Sequence, residues 1–329
     1  MVSLLDMPDV PMNSILDHGG PSVIFSLRKV CKNLRDYIDE TMPELHLDAI
    51  NICLEYKKIT ITWSHYLENV QISYKLHGNG YKTVFGENEI TIENVDYMEG
   101  FWNDYSLIMK YQKSSLKRFH LHLSNSTDVE DVSKFLEQYQ NSGTIKTQYL
   151  DLGIYHGDEV LVILQHLNAN CLKNIRFFSA SYYDKNIDFT EIVKLDQWKN
   201  ANEFSSRNLS IDASMKHFTH FSKINAEFQH IYSEPGNLNV LKEAAIRSPN
   251  FEKYIIEYHD SFNVRQTLSE VFGNPFTYSI GQNKWSWFFN TCREEKILKI
   301  DNFLMFDIIN FSLIDRSMVP NGAEVKNVL

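Results

Sequence analysis

The sequence predicts an α+β protein, a small N-terminal helical module followed by a larger α/β array. Three observations carry this. Apolar residues recur at three- and four-residue spacing before Pro43. A run of near-alternating β-branched and aromatic residues follows, and from residue 116 strand and helix patterns alternate. The 329 residues suit one small module plus one large domain, or two to three modules in all.

In the N-terminal module, Met12, Ile15 and Leu16 form one helical stripe, and Ile24, Leu27, Val30, Cys31 and Leu34 form another. Between them, Gly19-Gly20-Pro21-Ser22 joins a breaker to an N-cap candidate. A segment of about 35 residues is too small to hold its own core. Such helices dock onto the rest of the chain or onto another protein.

These residues resemble an F-box without a gap. Met7-Pro8 stands for the opening Leu-Pro pair, and Ile15-Leu16 for the paired apolar residues of the first helix. Leu27-Arg28-Lys29-Val30-Cys31-Lys32 matches the later signature, and Leu34 the residue that follows it. The resemblance implies docking on the Skp-type adaptor of a cullin-based SCF ubiquitin ligase through Met7, Pro8, Ile15, Leu16, Ile24, Leu27, Arg28, Val30, Cys31 and Leu34. The chain departs from the pattern at Val10, Pro11 and Gly19. An alternative reading is an ordinary helical cap on the following domain.

Pro43 closes the module, and the next residues read as strands: Leu45 to Leu54, Ile59 to Trp63, Val70 to Tyr74, Val84-Phe85 and Ile90 to Ile92. Gly78-Asn79-Gly80 reads as a tight turn, since no phosphate-loop pattern surrounds it. From residue 116 the expected order is strand Leu116–Leu123, helix Ser126–Tyr139, strand Ile145–Ile154, helix Asp158–Leu167 and strand Leu172–Phe178. Thr127 and Glu130 have capping-box spacing. A less regular unit follows: strand Asn208–Ile211, helices Ser214–Ile231 and Leu238–Arg247, and strand Phe251–His259. Aligning Leu116, Ile145 and Leu172 gives a period inside the leucine-rich-repeat range. The strict leucine frame is missing, so the expected fold is a degenerate, leucine-rich-repeat-like array.

The block Val129 to Ile175, with its Asp-Leu strand and Asp-Glu-Val-Leu-x-Ile-Leu helix, is similar to the FTH domain that follows the F-box in nematode F-box A proteins. The expected boundaries are an F-box at 1–42, a β-rich linker region at 43–115, an FTH-like repeat domain at 116–315 and a tail at 316–329. The resemblance implies a substrate-recruiting adaptor whose second domain holds an unknown target protein.

The rest of the chain is consistent with that reading. Net charge is −10, which disfavours a general grip on nucleic acid or anionic membrane. The cysteines Cys31, Cys53, Cys171 and Cys292 are scattered, as for reduced thiols in cytoplasm or nucleus. No secretory signal is expected, because Asp6 and Pro8 interrupt the early apolar run. Phe303–Ile314 is too short to span a bilayer.

No nucleophile-elbow or cysteine-nucleophile motif occurs, so no catalysis is expected. His217 with His220, and His120 with His122, lack a third ligand, so neither metal nor cofactor is expected. The candidate target-binding residues are His120, His122, Gln148 and Asp151, read as an accessible polar row, and Trp285 and Trp287, for which core packing is the first explanation and binding the second. Leu121, Leu150 and Leu152 should be buried beneath that row. A second reading is a non-catalytic repeat-type scaffold with a degenerate F-box that no longer docks on a ligase.

Overall fold

A computed structural model describes residues 8–66, 68–124, 126–154, 157–179, 187–229, 235–258, 264–277, 284–303 and 306–327. In chain order the elements are α1 (Asp9–Val30), α2 (Lys32–Thr41), β1 (Ala49–Glu55), β2 (Lys58–His65), β3 (Glu68–His77), β4 (Gly80–Phe85), β5 (Asn88–Ile92), α3 (Tyr97–Tyr111), β6 (Leu116–Leu123), α4 (Val129–Gln140) and β7 (Thr147–Ile154). Then come α5 (Asp158–Gln165), β8 (Asn174–Ser179), α6 (Phe189–Ile192), α7 (Asp196–Lys199), β9 (Glu203–Ile211), β10 (Lys223–Phe228), α8 (Pro235–Arg247) and β11 (Lys253–Tyr258). The last are α9 (Val264–Phe272), β12 (Phe276–Thr277), β13 (Lys284–Asn290), β14 (Lys296–Phe303), β15 (Ile308–Asp315) and β16 (Val325–Lys326). N-terminal helices therefore precede a large, mostly β architecture. Two compact units divide it: Met1–Gly153 with His166–Cys171, and Ile154–Gln165 with Leu172–Leu329.

In the first unit the strand order is β7-β6-β1-β2-β3-β4-β5. β1, β6 and β7 pair parallel, while β1 to β5 form an antiparallel meander. The period-2 pattern fixes which residues face inward. Ile50, Ile52 and Leu54, Ile59, Ile61 and Trp63, and Phe119, Leu121 and Leu123 are buried. Leu150 and Leu152 are buried with them, as the alternation predicts.

Helices α3 and α4 supply the aromatic half of this core. Phe101 lies 5.9 Å from Tyr74, and Trp102 lies 5.0 Å from Phe135 between ring centroids. Helix α3 was hidden in sequence, because Tyr97, Phe101, Trp102 and Tyr105 have the residue types of strands. Its signal is Asp96, whose carboxylate accepts a hydrogen bond from the Met98 N–H at 2.8 Å, with Glu99 in the first turn. Gly100 permits the close crossing, since a Cβ there would sit 2.4 Å from the Tyr81 phenol.

In the second unit β8, β9, β10 and β11 pair parallel, and β15, β14, β13 and β12 continue antiparallel. Its core centres on Trp198, ringed by Phe189, Phe204, Phe218 and Phe221 at 5.0 to 5.5 Å. A leucine-rich-repeat frame does not extend through it, because β12 to β15 form an antiparallel meander rather than strand–helix units.

Two further expectations need correction. The Ser214–Ile231 helix is instead a short 3-10 turn at Met215–Phe218 followed by β10. Ile224, Ala226 and Phe228 alternate inward there, a period of two that overrides helix propensity. Thr127 does not cap α4, whose N-cap is Asp128; the buried Thr127 hydroxyl donates to the Leu54 carbonyl at 3.0 Å. Glu130 pairs instead with Lys134, at 2.9 Å on the exposed helix surface.

Candidate protein-docking surfaces

The N-terminal helices have an inner and an outer face. Gly20 breaks α1 with φ 67°, and Pro21 restarts the helix, as the breaker predicts. Met12, Leu16, Ile24, Leu34 and Ile38 are buried. Leu16, Ile24 and Leu34 are thus enclosed within this chain, so they brace the docking helices instead of touching a partner. Pro8, Val10 and Val30 are exposed, Val10 at 80% and Val30 at 67%, while Ile15, Leu27 and Cys31 are half-buried. Met7 lies outside the described residues.

The module is seated on β2, on β3 and on the end of α3. Phe25 packs edge-on to Trp63 at 6.3 Å, and the Ser22 hydroxyl donates to Glu68. A Cβ on Gly20 would stand 3.1 Å from the His65 ring, so the break also permits close approach.

Asp39 on α2 is the polar centre of the seat. It accepts a bidentate pair from Arg28, with Nε at 2.7 Å and Nη2 at 2.9 Å, and the Tyr111 hydroxyl donates to the same carboxylate. Arg28 was expected to face a partner; its guanidinium is instead committed inside the chain, because the planar fork matches the Asp39 carboxylate on the neighbouring helix α2. Arg28, the first cause, and then Tyr111 hold the Asp39 pKa down to about 2. Burial, then the bond to Asp39, pushes Tyr111 up to about 12.

A depressed carboxylate stabilises the fold above its unfolded pKa and ceases to do so as pH falls through the folded value. Asp39→Asn should therefore cost about 1–2 kcal/mol at neutral pH, allowing for solvent screening. The gap to the unsubstituted chain should close between about pH 4 and pH 2. Urea midpoints across that range are the check, and a pH-independent gap refutes the assignment.

The second surface is the open face of the first unit's sheet, and strand register builds it rung by rung. Ala49, Arg118 and Tyr149 are opposed, then Asn51, His120 and Asp151, then Cys53, His122 and Gly153. Arg118 lies over the Tyr149 ring at 4.9 Å. His120 Nδ1 is 3.2 Å from Asp151 Oδ2, and Cys53 Sγ is 3.6 Å from His122 Nδ1. The sequence reading found the histidines and Asp151 but not Asn51 and Cys53, which only the β1–β6 pairing places beside them.

Three candidate target contacts are corrected. Asp151 is only 8% exposed, because β7 is covered on both faces beyond Leu150. Gln148 is exposed but has the parity of Leu150 and Leu152, so it stands on the other face from the histidines. Trp287 is 1% exposed and its indole N–H donates to the Gly273 carbonyl at 2.7 Å, so it is a core residue of the second unit. Phe288 and Phe289 are buried as well, which closes both faces of β13, and Trp285 is half-buried against Trp287.

Burial pushes the Cys53 thiol up to about 11, and burial and then His120 lower the His122 pKa. At neutral pH this is a protonated thiol beside a neutral imidazole, a poor nucleophile pair. The His220 ring N–H donates to the Trp198 carbonyl at 2.9 Å, so His220 braces the second core. Among the described residues no group of three or more His, Cys, Asp or Glu side chains is placed to hold a metal ion. Among them, too, no helix is long and apolar enough to cross a membrane.

Comparison with known proteins fits this division. Residues 4–54 match the F-box domain, from the N-terminal helices through β1, and residues 129–276 match the FTH domain, from α4 to β12. F-box A protein 224 of Caenorhabditis elegans is 26% identical over 235 residues, covering 68% of this chain and 59% of that relative. The chain thus matches less than two thirds of the relative's length. No solved structure matches the chain. The chain therefore carries an F-box domain followed by an FTH domain, and it is similar to an F-box A protein.

Proposed function

We propose that this chain is a substrate-recruiting adaptor of an SCF-type ubiquitin ligase. The F-box helices bind a Skp-type adaptor, and through it a cullin, while the FTH region holds a target protein in the cytoplasm or nucleus. The observation that carries this reading is the apolar surface that the helices leave exposed. Pro8, Val10 and Val30 are exposed and Ile15 and Leu27 only half-buried, although the same helices bury Met12, Leu16, Ile24, Leu34 and Ile38. The chain itself performs no bond chemistry in this reading. It raises the effective concentration of a target lysine beside the ubiquitin carrier. In this reading the strand–helix units are degenerate and leucine-rich-repeat-like, within a domain running from about residue 116 to 315 behind an F-box of residues 1–42.

Co-purification of the full chain with a Skp-type adaptor tests the proposal. Val30→Asp should leave stability within about 0.5 kcal/mol, since the residue is exposed, yet strip the adaptor. Leu27→Asp should do the same at a greater stability cost. Val30→Asp and Leu27→Asp proteins that both retain the adaptor at unsubstituted yield would sink the F-box reading. A second reading, a scaffold with a degenerate F-box, is favoured by Arg28, which the fold already uses for Asp39. It predicts that even the unsubstituted chain fails to co-purify.

A further inference from the structure

The chain fills one strand edge and leaves another bare. In the second unit the outer edge of β13 is taken by β12 and β16, and the Lys326 ammonium beside them donates to the Phe272 and Asn274 carbonyls at 2.6 and 3.1 Å. In the first unit β5 ends the strand order, and among the described residues no strand pairs with its outer side. Edge strands are ordinarily blunted by proline, lysine, a bulge or a charge on the inner face. β5, Asn-Glu-Ile-Thr-Ile, has none of these: its register with β4 is unbroken, and its charge, Glu89, is paired with Lys82. Apolar side chains are uncovered there too. Ile90 and Phe85 share a face with Tyr81, against which α3 packs, yet they stay 60% and 49% exposed.

The turn before β5 fixes which backbone groups point outward. Gly86 has φ 59° and the loop Gly86-Glu87 is two residues long, so Phe85 and Asn88 form a hydrogen-bonded pair. Asn88, Ile90 and Ile92 therefore turn their N–H and C=O groups to β4, and Glu89 and Thr91 turn theirs to the open edge. We propose that this edge pairs antiparallel with β5 of a second copy of the chain, about a two-fold axis at Ile90. In that register Glu89 of each copy exchanges backbone hydrogen bonds with Thr91 of the other, and Ile90 meets Ile90 on the apolar face. The strand's own charge selects it. An axis at Glu89 sets carboxylate against carboxylate and overlaps three residues, and an axis at Thr91 overlaps three as well. Centred on Ile90, all five residues pair and Glu89 faces a threonine, so the strand is its own complement. Glu87 and Glu93 come opposite each other just outside the pair, and each copy carries a net charge of −10, so salt should tighten the association. A junction this short is at the low end of interface sizes, which makes the dimer weak and concentration-dependent. It does not depend on the adaptor reading.

Sedimentation of the full chain across a concentration series should show a monomer–dimer equilibrium that tightens with added salt. Ile90→Lys and Ile90→Glu should each weaken it at least about tenfold, since position 90 then meets its own charge, while their equal mixture should restore it. Ile90 is exposed, so both variants should melt with the unsubstituted chain. In a Cys292→Ser background, which removes an exposed thiol, Ile90→Cys should cross-link between copies under oxidised glutathione. A non-hydrogen-bonded pair brings the two Cβ atoms within disulfide reach, whereas Thr91→Cys, which faces Glu89, should not cross-link. A chain that is monomeric throughout, or a dimer that neither charge variant weakens, overturns the proposal. So does a mixture that stays monomeric, or an Ile90→Cys chain that cross-links no faster than Thr91→Cys. Dimerisation that loosens with salt overturns it in favour of an ion-paired surface elsewhere.

Discussion

Leu16→Asp should detach the F-box helices from their seat. Leu16 is fully buried in the inner face with Met12, Ile24, Leu34 and Ile38. Deleting such a leucine side chain alone costs about 2–5 kcal/mol, and an unpaired buried carboxylate adds its desolvation. The combined cost exceeds what a module of this size can supply from its own core. Amide exchange should therefore show α1 and α2 losing protection, while β6, α4 and β7 keep theirs. The loss should lessen in acid, where the new carboxyl protonates and its burial becomes less costly. Retention of full protection in α1 would mean that the inner face is not the seat. Val30→Asp on the outer face is the matched control, since it places the same charge in water.

Trp198→Ala should destabilise the second unit by about 3–5 kcal/mol. The indole is 1% exposed and stands within 5.5 Å of four phenylalanine rings, so its removal opens a cavity that no single neighbour can fill. Its N–H also donates to the His217 carbonyl at 3.0 Å, on the 3-10 turn before β10. Trp198→Phe keeps most of the volume and removes only that donor, so a cost of about 1–2 kcal/mol is expected. Denaturant midpoints of both variants separate the cavity from the hydrogen bond. A Trp198→Ala loss below about 1 kcal/mol would contradict the packing described.

What could be read from the sequence was local and periodic. The breaker at Gly19 to Ser22, the alternation in β1 and β2, and the succession β6, α4, β7, α5, β8 each depend on residues a few positions apart. Backbone geometry turns such spacing directly into faces. The F-box signature and the FTH-like block were legible for the same reason, as short runs of side chains in fixed order.

Misreadings arose wherever residue type and period disagreed. Helix α3 carries the aromatic content of a strand, and β10 lies in a stretch whose apolar residues also satisfy a helical spacing. In both, the sheet needing a partner or a cover decided the outcome, and propensity differences of under about 1 kcal/mol could not oppose it.

By itself, then, the sequence determined most of the element types, the inner stripes and the likeness to F-box and FTH domains. Only the tertiary structure decided which polar groups were already in use: Arg28 on Asp39, Thr127 on Leu54, Asp151 beside His120, and the indole of Trp287 on Gly273. It also brought Lys58, Lys75 and Lys82 onto one rung, although they are separated in sequence by a strand and two turns. Local spacing sets which face a side chain takes. What opposes it across that face is set by strand register, which depends on the packing of the whole sheet.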